Sequence, residues 1–141
     1  MSDENVQLFH RMQRQWQERR RLPPELLTDD VEWVNPPDSV ESGTRRGADG
    51  FNDAIASVYE GWEDSRFEPE RVVARGDDVV ALGELRARGR AVGLEVHREH
   101  GQIWTFRGGR LARMRWFNSH RETLDAAGTR EVRADDGAGV E

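Results

Sequence analysis

The side chains best suited to chemistry fall on one predicted strand, residues 91–106, which carries His97, His100 and Gln102. Because side chains alternate along a strand, His97 and His100 face opposite sides and cannot share a metal ion. His100 and Gln102 face the same side, which we predict to be the inside of the domain. Histidine titrates near neutral pH, so His100 is the candidate general acid or base. Two alternatives are open. His100 could be a partly exposed histidine at the rim, or a β-bulge at Gly101 could turn it to the outer face of the strand.

Two residue types are missing from the chain, and each absence excludes a class of chemistry. Without cysteine there is no thiolate nucleophile, no disulfide and no cysteine metal site. All 21 basic residues are arginine, so Schiff-base chemistry on a lysine is excluded as well. No spacing of His, Asp and Glu resembles a metal site. We therefore predict neither a metal nor another cofactor.

The composition is that of one acidic domain. The chain has 141 residues, a formal net charge of −6, and equal weights of hydrophobic (35%) and charged (34%) residues. The negative charge argues against a nucleic-acid surface as the main function. No apolar run approaches the length of a membrane span, and the first residues lack the core of a signal peptide. We therefore expect a cytoplasmic protein.

Periodicity predicts an α+β fold in which N-terminal helices pack on one face of a curved antiparallel sheet. The predicted helices are residues 3–21, a short one near 24–27, 48–62 and 119–127. The predicted strands are residues 31–35, 67–74, 79–88, 91–106 and 110–118, the last four forming a meander. Residues 37–46 are predicted to form a loop. We predict that the domain covers residues 1–128 and that residues 129–141 form a disordered tail.

Three stretches resemble a known superfamily in order and spacing. They are LLTDDVEWVNPP at residues 26–37, GADGFNDAIASVYEGW at 47–62, and GQIWTFRGGRLARMRWFNSHRETLDAAG at 101–128. Together they resemble the SnoaL-like, ketosteroid-isomerase-like (nuclear-transport-factor-2-like) superfamily over roughly residues 5–128. The resemblance implies a cone-shaped sheet around a deep pocket, usually in a homodimer. The superfamily includes isomerases, polyketide cyclases, epoxide hydrolases and proteins without known activity, so the fold alone does not define the function.

Two amides stand where the isomerases of this superfamily carry catalytic acids. By this resemblance the general-base aspartate corresponds to Asn35, and the oxyanion-hole aspartate corresponds to Gln102. An amide at Asn35 cannot remove a proton from carbon, whereas Gln102 can still donate a hydrogen bond to an oxyanion. Isomerisation through an aspartate base is therefore not expected. The two amides either orient a polar ligand or bond to nearby backbone.

The remaining ligand-contact candidates are mostly aromatic. Four of the five tryptophans, Trp16, Trp33, Trp104 and Trp116, either form a cage for a flat hydrophobic ligand or belong to the hydrophobic core. The residues we predict to contact a ligand are Trp16, Trp33, Tyr59, Trp104, Met114, Trp116 and Asn118.

Strand parity defines the two faces of the sheet. In the last strand Ala112, Met114, Trp116 and Asn118 are predicted to face inward. In the second strand of the meander the inward residues are small around Gly83, which would leave room for a ligand. On its outer face Val80 and Leu82 need cover, for which a dimer partner is the natural candidate.

Three functional hypotheses remain open. The chain binds a hydrophobic or aromatic small molecule, with or without proton transfer or cyclisation on a polyketide-, steroid- or terpene-like carbonyl compound. It is a binding module without chemistry of its own. Or the cone is mainly a dimerisation domain with a filled pocket.

Overall fold

The computed structural model describes residues 2–90 and 93–128, and its elements follow the predicted order with one addition. The helices are α1 (Ser2–Arg19), α2 (Gly47–Gly61) and α3 (His120–Ala126), with one turn of 3-10 helix at Pro24–Leu26. The strands are β1 (Leu27–Asn35), β2 (Gly43–Arg46), β3 (Trp62–Arg75), β4 (Asp78–Gly89), β5 (Glu95–Arg107) and β6 (Arg110–Phe117). The prediction for residues 129–141 lies outside the described residues. Among the described helices, none has the length and apolar character needed to cross a membrane.

The strands form one curved, open, six-stranded sheet in the order β2-β1-β6-β5-β4-β3. All neighbours are antiparallel except β1 and β6, which run parallel. Helices α1 and α2 pack on the concave side of this sheet, so the predicted cone-shaped α+β fold is confirmed.

Strand β2 corrects the prediction of a loop over residues 37–46. It pairs with β1 from Asn35↔Gly43 to Glu32↔Arg46. The segment GTRR is polar and largely exposed, so it has no alternating apolar pattern that would indicate a strand. Its pairing relies on backbone hydrogen bonds at the sheet edge and on an ion pair of 3.1 Å between Arg46 and Glu32.

The core lies between the helices and the concave face of the sheet. An apolar stripe of α1 formed by Phe9, Met12 and Trp16 is buried there, with Phe9 and Met12 fully enclosed. Trp16 of the same stripe lies 5.5 Å from Trp33 and 6.0 Å from Trp104, measured between ring centroids. These aromatic contacts connect α1 to two strands of the sheet's inner wall, β1 through Trp33 and β5 through Trp104, which lie on either side of β6.

A register shift in β6 changes one predicted inward residue. The pairing of β5 with β6 slips between Thr105 and Phe106, and Phe106 then lies opposite Leu111. Leu111 is therefore fully buried, and the prediction that Ala112 faces inward is wrong. On the other side of the bulge the register is regular, with Trp104 opposite Met114 and Gln102 opposite Trp116 on the inner face.

The outer face of β4 is covered within the chain itself, which corrects a second prediction. Val80 and Leu82 are each only 1% exposed, so they do not require a partner subunit to bury them. Helix α3 packs on this face, where Thr123 meets Gly101, the register partner of Leu82. A Cβ added to Gly101 would lie 1.9 Å from the hydroxyl oxygen of Thr123, so only glycine allows this approach.

Candidate functional site

A cavity of about 680 Å³ opens between α1, α2 and the concave face of the sheet. Its wall is mostly aromatic and aliphatic, with uncharged polar groups deeper inside and charged groups in the exposed segments around it. Of the ten predicted site residues, nine line it: Trp16, Trp33, Asn35, Tyr59, His100, Gln102, Met114, Trp116 and Asn118. Trp104 does not line the cavity, because it is fully buried in the core behind Gln102.

The space expected beside Gly83 is not part of this cavity. A Cβ at Gly83 would lie 2.0 Å from the carbonyl oxygen of Glu68, so the backbone of β3 already fills that space. The close approach coincides with a register shift of β3 between Pro69 and Arg71. The contribution of β4 to the cavity wall is instead Leu85, near the open end.

Asn35 joins two tryptophans at the cavity wall. Its Oδ1 accepts hydrogen bonds from Nε1 of Trp33 at 2.8 Å and from Nε1 of Trp116 at 2.9 Å. Its Nδ2 donates to the carbonyl oxygen of Gly43 at 3.4 Å, across the pairing of β1 with β2. Since an indole N–H only donates, the orientation of the amide is determined. Asn35 therefore holds the two indoles in place.

Gln102 connects the core to His100 in a similar way. Its Oε1 accepts from Nε1 of Trp104 at 2.8 Å, and its Nε2 lies 3.1 Å from Nε2 of His100. Because the amide nitrogen must donate, Nε2 of His100 must accept and carries no proton. A neutral His100 then has its proton on Nδ1.

His100 is buried on the inner face, so the alternative of a partly exposed rim histidine is wrong. It is 5% exposed, and the register of β4 with β5 runs through Gly101 without a shift. Its ring lies 5.7 Å from Trp116 in a stacked arrangement and 4.9 Å from Phe67 in an edge arrangement. Among the described residues its Nδ1 has no hydrogen-bond partner. His97 lies on the opposite face and pairs with Glu84.

Burial lowers the pKa of His100 to about 3, with smaller contributions from the charges of Arg98 and His120. The imidazole is therefore neutral at pH 7. A group this weakly basic removes a carbon-bound proton poorly, and its Nε2 lone pair is already engaged by Gln102. The geometry thus argues against His100 as a general base.

Tyr59 is a second neutral group in the wall. Burial raises the pKa of its phenol, and the hydroxyl donates to the carbonyl oxygen of Ser65 at 3.2 Å. The guanidinium of Arg20 lies over the ring, 4.3 Å from its centroid. Tyr59 therefore supplies a fixed aromatic surface and stays protonated at neutral pH.

The charged residues that line the cavity are at its exposed end. Among the described residues, the lining carboxylates are Asp38 and Glu41, both in the exposed segment between β1 and β2. Glu41 accepts two hydrogen bonds from Arg45, at 2.7 and 2.8 Å. Arg98 also lines the cavity, from β5, two positions before His100 on the same strand face. Within the described part of the chain, the polar groups deeper in the cavity are consequently neutral.

Among the lining residues that the sequence analysis missed are two, Gln13 and Arg98, whose spacing carried a signal. Gln13 lies three residues before Trp16 on the buried face of α1, and its amide donates to the carbonyl oxygen of Phe67 at 2.8 Å. Arg98 lies on the same face of β5 as His100 and Gln102, because the three residues are two positions apart. The described residues contain no group of three or more His, Asp or Glu side chains that could hold a metal ion.

The curved open sheet, the helices on its concave side and the cavity between them define a cone-shaped α+β domain. Residues 14–114 match the model of the SnoaL-like domain, and the chain belongs to this family. The superfamily resemblance stated from the sequence is therefore confirmed. No protein with a curated description matches the chain.

Solved structures with the same fold include three of nearly equal similarity. TerC, co-crystallised with polyporic acid, shares 22% identity over 89% of this chain and 99% of its own, with a TM-score of 0.69. An NTF2-like protein of unknown function from Burkholderia pseudomallei K96243 shares 25% identity over 89% and 97%, with a TM-score of 0.70. A putative SnoaL-like polyketide cyclase from Jannaschia sp. CCS1 shares 18% identity over 83% and 86%, also with a TM-score of 0.70.

Proposed function

We propose that the chain binds a flat, hydrophobic or aromatic small molecule in the cavity between its helices and its sheet. The observation that carries the proposal is the cavity itself, whose volume of about 680 Å³ lies in the range of small-molecule sites. Its wall is rich in indole and phenyl rings, and its deeper polar groups are uncharged. Such a wall suits a ligand whose buried part is apolar and carries few polar atoms.

A fold neighbour gives independent support for a small-molecule function. TerC was crystallised with polyporic acid, and it covers 89% of this chain. At 22% identity this neighbour supports the shared fold and no particular ligand. The class of ligand proposed here therefore rests on the residues of the cavity.

A binding screen with a blocked variant tests the proposal. Ligands that bind only the folded chain raise its unfolding temperature, so a thermal-shift screen of flat hydrophobic compounds should yield stabilising molecules. Ser57 lines the cavity from α2, and Ser57→Phe should abolish these shifts. Ala56 is its exposed neighbour on α2, and Ala56→Phe is the matched control that should retain them. Equal shifts in the two variants would place binding outside the cavity and contradict the proposal.

A catalytic role is the second candidate, as proton transfer or cyclisation on a polyketide-, steroid- or terpene-like carbonyl compound. The observation that favours it is that Asn35 lines the cavity, the residue that by the superfamily resemblance stands in the place of the isomerase base. Asn35→Asp would supply a carboxylate at that position. Isomerisation of a β,γ-unsaturated ketone by this variant and not by the wild type would support a reaction-competent cavity. A wild type that acts on this ketone would contradict the argument against a base.

Homodimer formation and a cytoplasmic location are kept as proposals from the sequence. The third hypothesis, a dimerisation domain with a filled pocket, is disfavoured by the volume of the cavity. Native mass spectrometry of the purified chain measures the oligomeric state and any co-purified ligand in one experiment.

A further inference from the structure

We infer that the cavity binds amphipathic ligands, in which a flat apolar body lies between the helices and the sheet and a carboxylate at the other end pairs with Arg98. The inference rests on the proposed binding function and adds the charged group that the ligand must have. Arg98 is on β5 and lines the exposed end of the cavity, on the strand face that also carries His100 and Gln102.

Arg98 is a charged residue on the inner face of the sheet, where its neighbours across the strands are apolar. Its register partner on β4 is Leu85, and the partner of Leu85 on β3 is Phe67. All three residues line the cavity. Arg98 is exposed, whereas His100, two positions further along the same face, is buried. Because an arginine keeps its guanidinium in water while its stem follows apolar surface, a ligand that projects from the cavity can reach this charge.

Arg98 differs in its pairing from the arginines on the outer face of the neighbouring strand. There Arg86 pairs with Glu68 at 3.0 Å, and Arg88 pairs with Glu95 at 3.6 Å. Within the part of the chain that the structure describes, Arg98 forms no ion pair with a carboxylate. Its guanidinium is therefore available to a ligand, and a guanidinium can hold a carboxylate through two parallel hydrogen bonds.

The two carboxylates that the described residues contribute to the cavity lining leave this charge uncompensated. Glu41 is engaged by Arg45, with a nitrogen–oxygen distance of 2.6 Å. Asp38 belongs to the segment between β1 and β2, and in the sheet β1 and β6 separate that segment from β5. A ligand carboxylate would therefore find a cation on β5 with no described carboxylate already paired to it.

The carboxylate of the ligand belongs at the exposed end because the deeper wall offers it no charge. His100 is neutral at pH 7, since burial and, to a smaller extent, the charge of Arg98 lower its pKa to about 3. An unpaired carboxylate beside His100 would carry a large desolvation cost. The positive field of Arg98 extends to this wall, so an anion is attracted toward the exposed end. The ligand is thereby oriented, with its apolar body inside and its anionic end outside.

The test compares pyrenebutyrate with pyrenebutanol, which share a flat body and differ in the charge at the end of the chain. Pyrene emission measures both affinities, because it is excited outside the absorption of tryptophan. The wild type should bind the carboxylate about threefold to fivefold more tightly than the alcohol at low salt, the range of a solvent-exposed ion pair. Raising the salt from about 20 mM to about 500 mM should bring the ratio close to one, because ions screen an exposed pair.

Variants assign the preference to Arg98. Arg98→Gln should lower the ratio of the two affinities to about one, and Arg98→Lys should keep most of it, since the charge remains. Arg107→Gln removes the same charge from the other end of β5, away from the cavity lining, and should leave the ratio unchanged. Ser57→Phe should weaken both ligands alike, because it fills the cavity that holds their common body.

The outcomes separate the inference from the proposed function. Equal affinity of the wild type for the two ligands overturns the inference and leaves the proposed function intact. A ratio that falls equally in Arg98→Gln and Arg107→Gln assigns the preference to the net charge of the chain and overturns it as well. If neither ligand binds the wild type, the proposed function fails for this flat body and the inference falls with it.

Discussion

The imidazole of His100 lies nearly parallel to the indole of Trp116, with the ring centroids 5.7 Å apart and 23° between the planes. An amide binds each member of this stacked pair. Asn35 accepts from the indole nitrogen of Trp116, and Gln102 binds Nε2 of His100. The cavity wall is thus a set of rings held by neutral hydrogen bonds, and changes in either amide should affect both stability and binding.

Replacing Asn35 by alanine should destabilise the fold by about 2 kcal/mol, because it removes the shared acceptor of two indole N–H groups. Asn35→Asp keeps an acceptor oxygen and should therefore lose much less stability than Asn35→Ala. Urea unfolding followed by tryptophan fluorescence measures both variants. Asn118→Ala, in the same cavity wall, is the matched control. If Asn35→Ala and Asn118→Ala unfold at the same urea concentration, the bridging role of Asn35 is wrong.

Acid should destabilise the fold through His100 in a definite pH window. The pKa of His100 is about 3 in the folded chain and near 6.5 for an unperturbed histidine. Between these values the unfolded chain binds a proton that the folded chain does not. The stability present above pH 6.5 is therefore lost as the pH falls, by about 1.4 kcal/mol per pH unit down to about pH 3.

The measurement is the free energy of unfolding in denaturant at several pH values from 7 to 4. Below pH 6 the wild type should lose stability more steeply than His100→Phe, by about 1.4 kcal/mol per pH unit. His10→Gln, at an exposed position of α1, controls for the removal of a histidine. Parallel curves for the wild type and His100→Phe would show that His100 is not held neutral by the fold.

Strand alternation was sufficient to predict much of the candidate site. It placed His100, Gln102, Met114 and Trp116 on one face, because β5 and β6 are regular over these residues. It failed at Ala112, since a bulge depends on contacts that the pattern of one strand does not contain.

The hydrogen bonds of the site could not be predicted from the sequence, for a different reason. The two amides were assigned to ligand or backbone, whereas they mainly bind tryptophan and histidine rings. Such pairs depend on rotamers and on the distance between neighbouring side chains, neither of which residue periodicity determines. The cover of Leu82 by its own chain was missed likewise, because sequence alone did not show on which face α3 packs.

The ion pair between Glu41 and Arg45 should matter for ligand exchange and hardly for stability. Both side chains are partly exposed, at 53% and 29%, so Glu41→Gln should change the free energy of unfolding by less than about 1 kcal/mol. The pair holds the segment that lines the exposed end of the cavity, so the same variant should release a bound ligand several-fold faster in stopped-flow fluorescence. Glu32→Gln, which removes the pair with Arg46, is the matched control away from the cavity lining. A dissociation rate that changes equally in both variants would show that the segment does not control exit.

The packing of α3 on the outer face should depend on the missing side chain at Gly101. A Cβ there would lie 1.9 Å from Oγ1 and 2.8 Å from Cβ of Thr123, which is fully buried. Gly101→Ala should therefore displace α3 and destabilise the fold by about 1–3 kcal/mol, the usual cost of overpacking. Gly89→Ala is the matched control on the neighbouring strand, since its Cβ would meet atoms no closer than 3.7 Å.

Displacement of α3 should also expose the apolar face that it covers. The face includes Leu82, the register partner of Gly101, which is 1% exposed in the intact fold. Gly101→Ala should therefore bind a hydrophobic dye such as ANS more strongly than Gly89→Ala, and amide exchange should speed up in α3. Since the contact is steric, adding Thr123→Gly to Gly101→Ala should restore part of the loss, although glycine inside a helix has a cost of about 1 kcal/mol. A Gly101→Ala variant as stable as Gly89→Ala, with unchanged exchange in α3, would mean that α3 does not pack against β5 at this position.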